Sequence, residues 1–275
     1  MKTKLFTALC VVALLTAGVA CGNQRKADVT TDTPKCSPYE KQHFDSLRQL
    51  VYRGDDEAAL QLASYYIEGK GVEQSYLNAA CIHSVLDDYA EGDIDPIIFS
   101  YSLDDPYRIL MEPIILGWDD ASIFDSESFA MIKKVLPLEA EAILAYDNYE
   151  GVNEEETKRY QKELERLERK GSEVSVFYQL PLFRDEKLDG GVDAYMSFLD
   201  RHSDRFPIFN EFLGNLYLGK YVTFGIPQYL DMAIFYYNMA KSYGMLGYRG
   251  MRYLSQINEF YEEQGLVPAY KVSIP

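Results

Sequence analysis

Three kinds of side chain in this sequence could do chemistry: clustered carboxylates, three histidines and four cysteines. Asp87, Asp88, Glu91, Asp93 and Asp95 crowd one turn, and Asp119, Asp120, Asp125 and Glu127 surround the single tryptophan, Trp118. Carboxylates grouped in this way can chelate calcium or work as an acid–base pair on a glycoside. Trp118 would then serve as a stacking platform for a sugar ring. Neither cluster has the EF-hand spacing, and helix caps and acidic first turns account for most of these residues. His43, His83 and His202 stand alone, without the four-residue spacing that puts two imidazoles on one zinc ion. Gly69-Lys70-Gly71 lacks the rest of a phosphate-cradling loop, and no Gly-x-Ser-x-Gly elbow occurs. No cysteine that would remain after leader removal sits in a local catalytic signature. The residues therefore predict a chain that is not an enzyme and uses no cofactor and no metal.

The cysteines give an address instead. Lys2 and Lys4 precede an apolar run from Leu5 to Ala20, the layout of a secretory leader and too short to span a membrane comfortably. The run ends Val19-Ala20-Cys21-Gly22, which resembles a bacterial lipoprotein signal, with Gly18 where a larger aliphatic residue is usual. The resemblance implies that residues 1–20 are removed and that Cys21 is acylated and becomes the first mature residue. Ordinary cleavage near Cys21 is the alternative. Acyl chains on one residue anchor a protein at about 0.8 kcal/mol per buried methylene. Residues 21–37 then read as a disordered tether, rich in charged and polar residues. Cys10 leaves with the leader, so Cys36 and Cys81 remain. An exported compartment permits a disulfide between them; a buried Cys81 thiol and an exposed Cys36 is the equal alternative.

A formal net charge of −16, made more negative by loss of Lys2 and Lys4, repels phosphate backbones and predicts no nucleic-acid partner. The same charge keeps an exported protein soluble and can steer a basic protein toward it.

The elements that position these residues are helices throughout. Ser37-Pro38-Tyr39-Glu40 is a complete helix start: cap, first-turn proline and the glutamate of a capping box. Phe44, Leu47, Leu50 and Val51 form its apolar stripe, and Gly54 ends it. Further helices are expected at about 56–68, 76–89, 105–111, 138–149, 154–170, 192–199, 207–218, 228–243 and 250–263. Asn153-x-x-Glu156 reads as a second capping box. Residues 174–183 are read as a short helix or an extended connector, and 221–227 as a loop. No stretch alternates with period two for long enough to build a sheet.

Helix pairs of this length, recurring at 34 or more residues, indicate stacked repeats. Leu62-Ala63, Tyr66, Gly69 and Gly71-Val72 form one first helix and turn, followed by Ala79 in a second helix with Ile82-His83 in place of an aromatic pair. Leu213-Gly214, Tyr217 and Gly219 form another, followed by Ala233, Tyr236-Tyr237, Ala240 and Gly244. These two stretches, about 56–91 and 207–247, resemble the Sel-one-like repeat family, a relative of the tetratricopeptide repeat. Residues 138–171, with Leu144-Ala145 and Gly151, resemble a degenerate middle copy. The resemblance implies an all-α fold, an α-solenoid of antiparallel hairpins with an irregular middle segment, over residues 38–275. It gives the motif residues structural roles: glycine and alanine let helices approach, and tyrosine fills the groove between them.

The function implied is binding. The first expectation is a lipid-anchored periplasmic adaptor at the cell envelope, on the outer membrane, that touches the membrane only through its N-terminal lipid and binds a protein partner of basic character. An immunity-type inhibitor of a delivered toxin and a glycan-binding lipoprotein are the alternatives.

Overall fold

The computed structural model of the protein describes residues 37–90, 105–107, 110, 127–184 and 190–270. The expected leader, Cys21 and Cys36, Trp118, and the carboxylates Glu91, Asp93, Asp95, Asp119, Asp120 and Asp125 lie outside the described residues. The described residues form eleven α-helices and no strand. The protein is all-α.

The helices are α1 (Pro38–Tyr52), α2 (Asp56–Glu68), α3 (Tyr76–Ala90), α4 (Glu127–Val135), α5 (Pro137–Asp147), α6 (Glu154–Lys170), α7 (Val174–Arg184), α8 (Gly191–His202), α9 (Phe209–Phe224), α10 (Pro227–Ser242) and α11 (Tyr248–Glu263). They fall into two compact units. Among the described residues, a central unit covers 105–198, and a terminal unit is built from 37–90 and from 199 onward.

In the terminal unit, α1 packs on α2 and α2 on α3; after the central segment, α9 packs on α10 and α10 on α11. Ser37 caps α1 reciprocally with Glu40, and the two hydrogen bonds of this box hold the carboxyl of Glu40 below its ordinary range, the Ser37 amide contributing most. Asp55 caps α2 through the Ala58 amide, and Gly69 closes that helix in the left-handed region at φ +67°. Gly71, also at φ +67°, touches the backbone of Glu40 so closely that a β-carbon there would overlap it. Only glycine allows this turn to lie against the first turn of α1. From Leu77 to Val85 every residue of α3 is buried, so that helix is enclosed on all sides.

The two halves of this unit join where α1 meets α10 and where α3 meets α11. Arg48 of α1 donates from Nη2 to Ser242 Oγ at 3.1 Å, and its guanidinium lies 3.7 Å from the Tyr243 ring centre. Tyr52 donates to Asn238 Oδ1 at 2.7 Å. Earlier residues of α1 thus meet later residues of α10, and the two helices run antiparallel. In an open solenoid each hairpin touches only its neighbours in sequence; here helices nearly two hundred residues apart in sequence share one core.

In the central unit α4 packs on α5, α5 on α6, and α7 on both α5 and α6. Asn153 caps α6 through the Glu156 amide, but the Glu156 carboxylate turns back to the amides of Glu150 and Val152, each at 2.8 Å, rather than to Asn153. The expected second capping box is therefore half formed, with the glutamate pinning the loop before the helix.

One open alternative is decided, and one sequence expectation needs revision. Residues 174–183 belong to a helix, with Pro181 inside it; burial on nearly every side favours helix over the β-branched character of Val174 and Val176. Residues 221–224 continue α9 and are not loop. Tyr221 packs against the core formed by α10 and α11, and the helix stops only at Gly225, at φ +66°.

Candidate functional site

The repeat motif residues lie inside the fold. Leu62, Ala63, Tyr66, Leu213, Ala233, Tyr237 and Ala240 are all buried. Gly214 faces the Tyr237 ring: a β-carbon at 214 would stand 2.6 Å from its Cε1. The Tyr237 hydroxyl donates to Asn215 Oδ1 at 2.8 Å, and burial pushes its ionisation far up. Tyr217 and Tyr236 stack at 5.4 Å, nearly parallel, and Tyr236 donates to Asp200 Oδ1 at 3.0 Å. Gly244, at φ +70°, meets Val51, Ala59 and Ile82, so the end of α10 reaches all three N-terminal helices. Cys81 is fully buried within α3.

Sequence reasoning missed one pair of residues with a common role. Glu139, the third residue of α5, is buried and accepts from the amides of Glu173 and Val174 at the start of α7, at 3.0 and 3.2 Å, and from Ser172 Oγ. Glu211, the third residue of α9, is 1% exposed and accepts from the Gly247 amide at the start of α11, at 2.8 Å. Gly250 leaves room for this carboxylate in the first turn of α11. Each glutamate thus caps the second helix after its own, 34 to 36 residues on. A carboxylate at a helix N-terminus meets unpaired amides and the positive end of the helix dipole. Between these caps the intervening helices bury the same pattern. Thr157, Tyr160, Leu164 and Leu167 of α6 match Leu230, Ala233, Tyr237 and Ala240 of α10 in spacing, and each set is followed by a left-handed glycine, Gly171 or Gly244.

Among the described residues, His83 and His43 are tied into packing. His83 is 2% exposed, and burial lowers its pKa to about 4, so it is neutral at pH 7. His43 pairs its Nδ1 with the Tyr65 hydroxyl. Asp204 is raised, first by burial and then by Asp200. Among the described residues no group of three His, Cys, Asp or Glu stands close enough to hold a metal ion, and no helix is long and apolar enough to cross a membrane.

Two surfaces remain. An open groove of about 1330 Å³ follows α6, lined among others by Tyr149, Glu154, Arg159, Glu163 and Arg166. Arg166 bridges Glu163 and Glu141, and Lys158 pairs with Glu154. This face pairs part of its charge within itself, as solvated helix faces do. The other surface is the end of the terminal unit where α9 turns into α10. Val222, Phe224 and Ile226 are 76%, 63% and 42% exposed, and Leu266, Val267 and Tyr270 stand out nearby. The segment after α11 is held to α10 there: Asp231 Oδ1 accepts from both the Tyr261 hydroxyl and the Ala269 amide, and Tyr270 meets Phe235 edge to face. Several exposed apolar residues at one end of a domain mark an interaction surface more often than scattered single ones do. That end is the candidate site, an apolar surface suited to non-covalent contact.

No family model matches the sequence, and no curated protein and no solved structure is similar to it.

Proposed function

We propose that this chain is a lipid-anchored protein of the cell envelope whose helical hairpins are Sel-one-like repeats and whose role is to bind another protein. The repeat reading is supported by the two glutamate caps, which recur at one repeat length in hairpins 138–171 and 207–247. It extends to the hairpin at 56–91 through Leu62, Tyr66 and the Gly69-Lys70-Gly71 turn. Within the terminal unit the first helices pack on the last hairpin. Anchoring rests on the run Val19-Ala20-Cys21. Placement on the periplasmic face of the outer membrane belongs to the same reading.

The observation that carries binding is the apolar end formed by Val222, Phe224, Ile226 and the segment after α11. An adaptor needs such a face, with a few rings supplying most of the affinity. The acidic chain favours a basic partner. Two experiments test this. Cys21→Ala should move the protein from the membrane to the soluble envelope fraction; unchanged partition rules out the lipid anchor. A pull-down from detergent-solubilised envelope should retain a protein prey that high salt releases. Retention on a polysaccharide column with no protein prey would replace the adaptor by a glycan binder.

A further inference from the structure

We infer that the end of the terminal unit formed by the α9–α10 turn and the segment after α11 is the docking site for a basic amphipathic helix of another protein. The inference rests on the binding function proposed above and gives it a place and a partner chemistry. The apolar part is Val222, Phe224 and Ile226 on the turn, together with the exposed Leu266, Val267 and Tyr270 of the segment that Asp231 and Phe235 hold along the first half of α10. These are aliphatic and aromatic side chains of the kind that anchor a helix laid across a surface. The rim is acidic. Glu259, Glu262 and Glu263 are exposed at the end of α11, and Asp231 lies one turn into α10. Lys220 is the one cation between residues 206 and 240. Two helices, α9 and α11, end here with the negative ends of their dipoles, against the positive end of α10, which begins at the same turn. An apolar patch with a negative rim complements a helix that carries leucine-like residues on one face and lysine or arginine on the other.

The patch lies far from the start of α1. Because α1 and α10 run antiparallel, with Tyr52 beside Asn238 and Arg48 beside Ser242, Ser37 lies beyond the far end of α10. At 1.5 Å per residue, the start of α1 and the α9–α10 turn are roughly 40 Å apart. The patch and the start of α1 therefore stand at opposite ends of the terminal unit.

The test uses the full mature chain with Cys21→Ala and a labelled 18-residue peptide of leucine and lysine, with leucine at helical i, i+3, i+4 and i+7 spacing. Its leucine–glutamate counterpart is the control. The lysine peptide should bind, with amide exchange slowed at 222–226 and 264–270, and the glutamate peptide should bind at least tenfold more weakly. Val222→Ser/Phe224→Ser should weaken binding about tenfold, the cost of losing one aromatic anchor. Glu259→Gln/Glu262→Gln/Glu263→Gln should weaken it and flatten its salt dependence. The proposal is overturned if both variants bind within twofold of the parent, or if protection maps elsewhere. It is also overturned if the patch proves to be covered by a second copy, seen as a dimer that Val222→Ser/Phe224→Ser dissociates, or if it inserts into phosphatidylcholine vesicles. An envelope prey whose cross-links map to another face removes this site but leaves the adaptor function intact. Peptide docking here with no envelope prey at all removes the adaptor function instead.

Discussion

Gly214 and Tyr237 occupy a single space between α9 and α10: the ring fills the volume that any side chain at 214 would need, with Cε1 2.6 Å from the position of a β-carbon. The close approach of the two helices depends on one residue having no side chain and the other having a large flat one. Gly214→Ala gains about 1 kcal/mol of helix propensity and loses about 1–3 kcal/mol to overpacking. The net expectation is a destabilisation of up to about 2 kcal/mol. Tyr237→Leu in the same chain should relieve the Gly214→Ala clash, so the double variant falls short of the sum of the two single losses. Urea melts of the four proteins check this; strict additivity would mean the ring moves aside freely.

The two buried glutamates should behave alike. Glu139→Ala and Glu211→Ala each remove a charged acceptor from helix amides and should cost about 1–3 kcal/mol. The signature is local. Exchange should quicken at 173–176 in the first variant and at 247–250 in the second. An equal loss with no local change would show that the side chains pack there without capping.

His83 links stability to pH. Its folded pKa is about 4, below the unfolded value near 6.5. Above pH 6.5 both states are neutral and nothing is lost. As pH falls below 6.5 the unfolded state takes up a proton that the folded state refuses, so stability declines until about pH 4. The loss should approach about 2–3 kcal/mol at pH 4.5. His83→Gln removes this one contribution, so the difference between its urea midpoints at pH 7.5 and 4.5 should be smaller than in the parent. Identical differences would place the acid sensitivity elsewhere.

Arg48 joins α1 to the end of α10 by a hydrogen bond to Ser242 and by its contact with the Tyr243 ring. Arg48→Ala should cost about 2–4 kcal/mol, since it removes buried packing as well as the bond. Arg48→Lys should recover little, because an ammonium cannot lie flat on the ring while reaching Ser242. Faster exchange should appear in both α1 and α10; a change confined to α1 would mean the seam holds without this residue.

What could be read from residue order alone was whatever is decided locally. The Ser37–Glu40 box, the Asp56–Glu68 helix and the left-handed glycines at 69, 171 and 244 follow from neighbours within a few positions, and the all-helical fold follows from their sum. Tyr221–Phe224 was not legible because its helical state depends on Tyr221 meeting the core of α10 and α11. Glu139 and Glu211 were not legible because an acidic residue in a first turn looks like a local dipole partner, while its actual amides lie 34 to 36 residues further on. The Arg48–Tyr243 seam had no periodic trace at all. The exposed trio Val222, Phe224 and Ile226 alternated in plain view, but nothing local said that this end stays uncovered.

The meeting of α1 with α10 also fixes an order of events. During synthesis the first three helices exist well before their partners: the stretch between residues 90 and 242 takes roughly 10–30 s to make at ordinary ribosomal speed. Through that interval their oily flanks stand open to chaperones and proteases. A premature stop anywhere before α10 would therefore leave the earliest helices, whose own codons are intact, as orphans.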